Sequence, residues 1–70
     1  MKQIHINQEP IELNKLMKFE SLVASGGEAH AAIEAGLVKV NGVTETRKRK
    51  KLLAGDTIEF MQVTYQIVIS

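Results

Sequence analysis

Seventy residues without a cysteine and with a formal net charge of +1 make one domain with a thin core, since a chain this short buries only about 60% of its unfolded surface. Disulfides and thiolate-bound zinc are excluded, and no stretch approaches the ~20 apolar residues that a membrane span needs. An apolar content of 44% with interspersed charge excludes a disordered tail, and the small size leaves little room for a deep, water-excluding active site.

Met1–Pro10 has no apolar run of the kind that opens a secretory signal. With the missing cysteines, this suits a reducing cytoplasm. Ile4 and Ile6 alternate with Gln3, His5 and Asn7, which predicts a short first strand. Pro10 ends it and can stand just before a helix. Leu13, Leu16, Met17 and Glu20 recur at i, i+3, i+4 and i+7, with Lys15 and Lys18 on the other side. That spacing predicts an amphipathic helix over about Glu12–Glu20, broken by Ser21–Gly27.

Ser25 and Glu28 have the S-x-x-E spacing of a capping box. The Ser hydroxyl would accept from the Glu28 amide while the Glu carboxylate reaches back to the Ser25 amide. Ala29, Ala32, Ile33 and Gly36 continue the helical spacing, and Gly36 suits a left-handed helix stop. A second helix is expected over about Gly26–Ala35. Its start, Ser25-Gly26-Gly27, is either a simple cap or an anion site at the positive end of a helix dipole. The phosphate-loop pattern G-x-x-x-x-G-K-[ST] is absent.

Val38-Lys39-Val40, Asn41-Gly42 and Val43-Thr44-Glu45 follow. Asn-Gly between β-branched residues predicts a hairpin with a type I′ turn, which needs positive φ at both central positions. Gly55-Asp56 marks another turn. Thr57–Met61 and Tyr65–Ile69 alternate as strands, joined over Gln62–Thr64 by a turn without Gly or Pro. The order strand, helix, helix, then three or four strands predicts an α+β domain, two short helices on a small antiparallel sheet. Leu13, Leu16, Met17, Ala29, Ala32 and Ile33 are expected to meet Val38, Val40, Ile58, Phe60 and Ile67 in the core.

The charge is unevenly spread. Gly36–Gly55 holds Lys39 and the run Arg47-Lys48-Arg49-Lys50-Lys51 against Glu45 alone, a net +5. The rest sets Lys2, Lys15 and Lys18 against seven acids, a net −4. Such a run is commonly just a solvated loop. Three features favour binding. It lies inside the fold, between a hairpin and the last strands. It includes Arg, whose planar fork matches phosphate. Its self-repulsion would be relieved by an anionic partner. The run reads as solvent-facing, so neutralising Arg47, Lys48 and Arg49 together is expected to leave the fold intact.

No catalytic constellation is evident. Asp56 sits in a turn, and His5 and His30 lack metal-ligand spacing. Neither an enzyme nor a cofactor is expected. Phe19, Phe60 and Tyr65 are expected in the core, so few rings are left to stack on unpaired bases. For a nucleic-acid partner, that favours recognition by shape and backbone over base-by-base reading. Two rivals differ in partner. One is a protein-interaction module that docks the basic run on an acidic protein. The other is an anionic membrane surface, disfavoured because no helix here joins a basic face to a bulky apolar one.

The string from Ser25 through Ile33 and Gly36-Leu37-Val38-Lys39-Val40-Asn41-Gly42, followed by a basic stretch and Gly55-Asp56, resembles the RNA-binding domain named after small-subunit ribosomal protein S-four, the αL motif. Leu13 to about Phe60 covers most of that motif, and the chain looks like a small free-standing bacterial member. The resemblance implies a monomer that presents a positive surface to structured RNA, ribosomal or transfer RNA among the options, with possible ribosome association. Carried over by position, the binding residues are Lys15 and Lys18 on the first helix, Gly26, Gly27 and His30 on the second, Lys39, and Arg47, Lys48, Arg49, Lys50 and Lys51. Many members carry Arg or Lys where this chain has Gly26, Gly27 and Ala31, which shifts the weight to Arg47–Lys51.

Overall fold

A computed structural model describes residues 1–70. The elements are β1 (Lys2–Ile6), β2 (Ile11–Glu12), α1 (Leu13–Phe19), α2 (Gly26–Glu34), β3 (Val38–Val40), β4 (Val43–Thr44), β5 (Lys51–Leu52), β6 (Thr57–Phe60) and β7 (Val63–Ile69). Five strands form one sheet in the order β1-β7-β6-β3-β4, and β2 pairs with β5 separately. No helix is long and apolar enough to cross a membrane.

The α+β architecture is as expected, but the sheet is mixed rather than antiparallel. β1 runs parallel to β7, with Ile4 beside Ile67 and Ile6 beside Ile69. The first and last strands have the whole domain between them, so no hairpin dictates their direction. What dictates register is burial: Ile4 and Ile6 turn to the same covered face as Ile67.

That face and the two helices enclose fourteen buried apolar residues. The residues expected to meet between helices and sheet are all among them, because the 3.6 and 2.0 periods point Leu13, Leu16, Met17, Ala29, Ala32 and Ile33 toward Val38, Val40, Ile58, Phe60 and Ile67. Leu52 joins them, fully buried.

Helix α2 begins as a capping box that closes one residue early. Glu28 N–H donates to Ser25 Oγ at 3.2 Å, but the Glu28 carboxylate accepts from Ala24 N–H at 2.8 Å, not from Ser25. At the other end Gly36 takes φ +79. Its N–H donates to Ile33 C=O and that of Leu37 to Ala32 C=O, each at 3.1 Å. This is the paired 5→2 and 6→1 ending that glycine favours.

The hairpin turn has positive φ at Asn41 (51) and Gly42 (82), as type I′ requires. Asn41 also accepts from Thr57 N–H at 2.9 Å and donates to Asp56 Oδ1 at 3.1 Å. Asp56 Oδ2 accepts from Leu53 N–H at 2.8 Å. The Asn-Gly and Gly-Asp turns are thus two ends of one hydrogen-bonded cluster. The expected Gln62–Thr64 turn is displaced. Met61 and Gln62 form it, both at positive φ (50 and 67), and Phe60 pairs with Val63 across it.

Candidate nucleic-acid interface

The basic run is placed by its backbone. A turn over Arg47–Lys50 is closed by Lys50 N–H donating to Arg47 C=O at 3.2 Å. The first amides of α1 then donate to the run itself: Leu13 N–H to Lys50 C=O at 2.9 Å and Asn14 N–H to Lys48 C=O at 3.0 Å. Glu12, at the N-cap, supplies no side-chain cap. The loop carbonyls satisfy donors that a capping side chain would otherwise take. Pairing of Glu12 with Lys51 and Ile11 with Leu52 fixes the far end. With the carbonyls spent on the helix, Arg47, Arg49 and Lys51 are exposed and Lys48 and Lys50 half-buried.

Arg47 has a second task. Its Nε and Nη2 donate to the two carboxylate oxygens of Glu45 at 2.9 and 3.1 Å, and its backbone N–H donates to Oε2 at 2.9 Å. Glu45 is the one buried charged residue. The side-chain hydrogen bond from Arg47, then its backbone one, hold the Glu45 carboxyl down from 4.5 to about 2, against the opposite pull of burial. The charges of Arg47 and Lys50 lower it further. Neutralising Arg47 would therefore strand a buried carboxylate. The expectation that Arg47, Lys48 and Arg49 can be neutralised together without harm to the fold is corrected on this ground.

Three elements meet at Asn14. Its Oδ1 accepts from Lys15 N–H at 2.9 Å, which leaves Nδ2 to donate to His30 Nε2, also at 2.9 Å. Lys48 Nζ lies 3.8 Å from Glu34 Oε2 on α2. Helix α1, helix α2 and the basic loop are thus tied edge to edge. Lys18, one turn beyond Asn14, shares its flank of α1. Gly26 and Gly27 stand at the start of α2, where a Cβ on Gly26 would meet nothing within 4 Å. Little side-chain bulk stands there, but the Glu28 carboxylate occupies the first turn and makes that start chiefly a cap. Asn14, which knits the surface together, was not singled out from sequence. Its one signal is an amide side chain in the first turn of an otherwise Leu, Lys and Met helix.

The other expected residues lie apart. Lys15 lies one turn before Lys18 on the outward side of α1, 3.8 Å from Glu12. With Lys51 and Phe19 it lines a groove of about 620 Å³ whose far wall is the chain after β1. Phe19 is 65% exposed, which corrects its expected place in the core. The stripe Leu13, Leu16 and Met17 turns position 19 to the helix flank. Phe60 is buried, as expected, and Tyr65 half-buried against the core. Lys39 alternates with buried Val38 and Val40, so it projects from the sheet face remote from both helices, between Thr44 and Glu59. His5 and Asp56 belong to no cluster of metal-ligating side chains.

The family described as the S4 domain matches residues 4–68. YbcJ of Escherichia coli K12 is 47% identical over 58 residues, 83% of each chain, and YbcJ of Shigella flexneri matches equally. The solution structure of the Escherichia coli protein, described as revealing an αL motif involved in RNA binding, superposes with a TM-score of 0.72 at 42% identity, covering 97% of this chain and 87% of that one.

Proposed function

Because this chain belongs to the S4 domain family, we propose that it is a non-catalytic RNA-binding protein that grips structured RNA through the basic loop and the adjoining flanks of α1 and α2. The observation that carries this reading is the placement of the net +5 segment. Its backbone is spent on capping α1, and the side chains of Lys48, Arg49, Lys50 and Lys51 are left to face a polyanion. Lys15 and Lys18 on α1, with His30 and the start of α2 at Gly26 and Gly27, extend the surface beyond the loop. Arg47 holds the loop in shape through Glu45 and contributes less to binding. Lys39, on the remote sheet face, lies outside the main contact. The protein acts as a monomer in the cytoplasm, and ribosomal and transfer RNA are the folded RNAs to test first.

The test is a salt titration of binding to an RNA hairpin, set against a DNA hairpin of the same stem length. Tighter RNA binding with a log–log slope of about −3 to −4, as four phosphate contacts give, supports the reading. Replacing Lys48 and Arg49 by Gln should flatten that slope by about 2 at unchanged melting temperature. Equal binding of both nucleic acids would make the loop a general polyanion patch. No binding to either would point to an acidic protein partner.

A further inference from the structure

We propose that the groove beside α1 receives an unpaired nucleotide of the bound RNA, its base stacked on Phe19 and its phosphates held by Lys15 and Lys51. This rests on the RNA-binding reading above and adds to it a subsite for single-stranded sequence next to the structured region. Phe19 is the only exposed residue among Phe, Tyr and Trp, at 65% exposure, and nothing in the fold covers it. A lone exposed ring is an ordinary surface feature, but this one has a fitting neighbourhood. Lys51 lines the groove and ends the basic loop, so a strand leaving the loop surface enters the groove without a break in positive charge. The groove's volume, about 620 Å³, is within the range of about 300–1,000 Å³ typical of small-molecule sites.

The remaining walls suit a base better than a second duplex. Asn7 and Gln8 bring amide side chains that offer both donors and acceptors, as the Watson–Crick edge of a splayed-out base requires. Glu12 and Glu20 also line the groove. Glu12 is matched by Lys15, and two carboxylates against two ammonium groups leave the lining without net charge. A lining without net charge suits a neutral base, whereas a run of phosphates would meet both carboxylates.

The experiment compares a blunt RNA hairpin with the same hairpin extended by a short 3′ or 5′ overhang carrying 2-aminopurine. Wild-type protein, Phe19→Ala and Phe19→Trp are each titrated after their melting temperatures are shown to agree. Stacking of one base should give the overhang at least a fivefold advantage over the blunt hairpin, with quenching of 2-aminopurine fluorescence. Phe19→Ala should lose both advantage and quenching, and Phe19→Trp should keep them, while all three proteins bind the blunt hairpin alike. Equal binding of blunt and overhanging hairpins by wild-type protein, or an overhang advantage retained by Phe19→Ala, overturns the subsite but leaves the loop surface standing. Failure to bind even the blunt hairpin overturns the RNA-binding reading instead. Self-association of the wild type that Phe19→Ala abolishes would assign the groove to a second copy of this chain and refute the proposal.

Discussion

Glu45→Gln isolates the charge that the basic loop is folded around. The variant keeps the shape of the side chain and one acceptor oxygen, but turns the other into an NH2 that cannot accept from Arg47, so it removes the negative charge together with part of the hydrogen bonding, as protonation of the carboxyl does. Lowering the carboxyl from 4.5 to about 2 sets a ceiling of about 3 kcal/mol, at about 1.4 kcal/mol per pH unit. The true value is smaller. The Glu45 side chain is 11% exposed, but that of Arg47 is 71% exposed, and in a domain this thin water screens the pair. About 1–2 kcal/mol is a reasonable remainder. For a domain of this size each kcal/mol moves the melting temperature by roughly 4–8 °C, so Glu45→Gln should melt about 5–15 °C below wild type at pH 7. The folded-state value lies below the unfolded one, so the stabilisation is complete above pH 4.5. It fades as pH falls through about 2, below which both states are protonated. Melts followed by circular dichroism at pH 7, 4.5, 3 and 2 should show the gap between the two proteins closing across that window. A gap independent of pH, or melting within a degree of wild type at pH 7, would refute the argument and return Arg47 to the binding surface.

The two hairpin turns predict opposite responses. Gly42→Val places a β-branched side chain at φ +82 and should lower stability by more than about 1 kcal/mol, read as a lower urea midpoint. An unchanged midpoint would contradict the positive φ. Met61→Asn with Gln62→Gly installs the preferred residues where both backbones already have positive φ and should raise stability by about 1 kcal/mol. A lower midpoint would show that the Met61 side chain is needed in place.

The two turns also show why part of the fold was legible in the sequence and part was not. At Asn41-Gly42 the local preference and the native geometry coincide, so four residues suffice to read it. At Met61-Gln62 the pairing of Phe60 with Val63 forces a conformation that neither residue favours, and the information lies in the sheet. Helix α2 was readable because Ser25, Glu28 and Gly36 mark its ends chemically. The parallel pairing of β1 with β7, and the two-residue strands β2 and β5, depend on residues more than thirty positions apart and left no local trace. On the candidate site, the basic run announced itself by charge. Its division of labour did not: nothing in five consecutive cations says that Arg47 turns back to Glu45 while Lys48 reaches Glu34. The exposure of Phe19 was available from the helical stripe, since position 19 falls beside Leu13, Leu16 and Met17 rather than among them. Counting the ring as core by residue type overrode that pattern.

The capping of α1 by the carbonyls of Lys48 and Lys50 separates two kinds of selection. Every residue has a carbonyl, so positions 48 and 50 can change side chain without removing the bonds that start the helix. If the loop makes the contact proposed above, mutations there would alter what the surface recognises while the scaffold stays folded. Substitutions at Glu45, Arg47 or Leu52 instead put the scaffold itself at risk. On that proposal, a lineage carrying this domain could drift from one partner to another through a handful of tolerated changes in one short loop, with the rest of the chain held nearly constant.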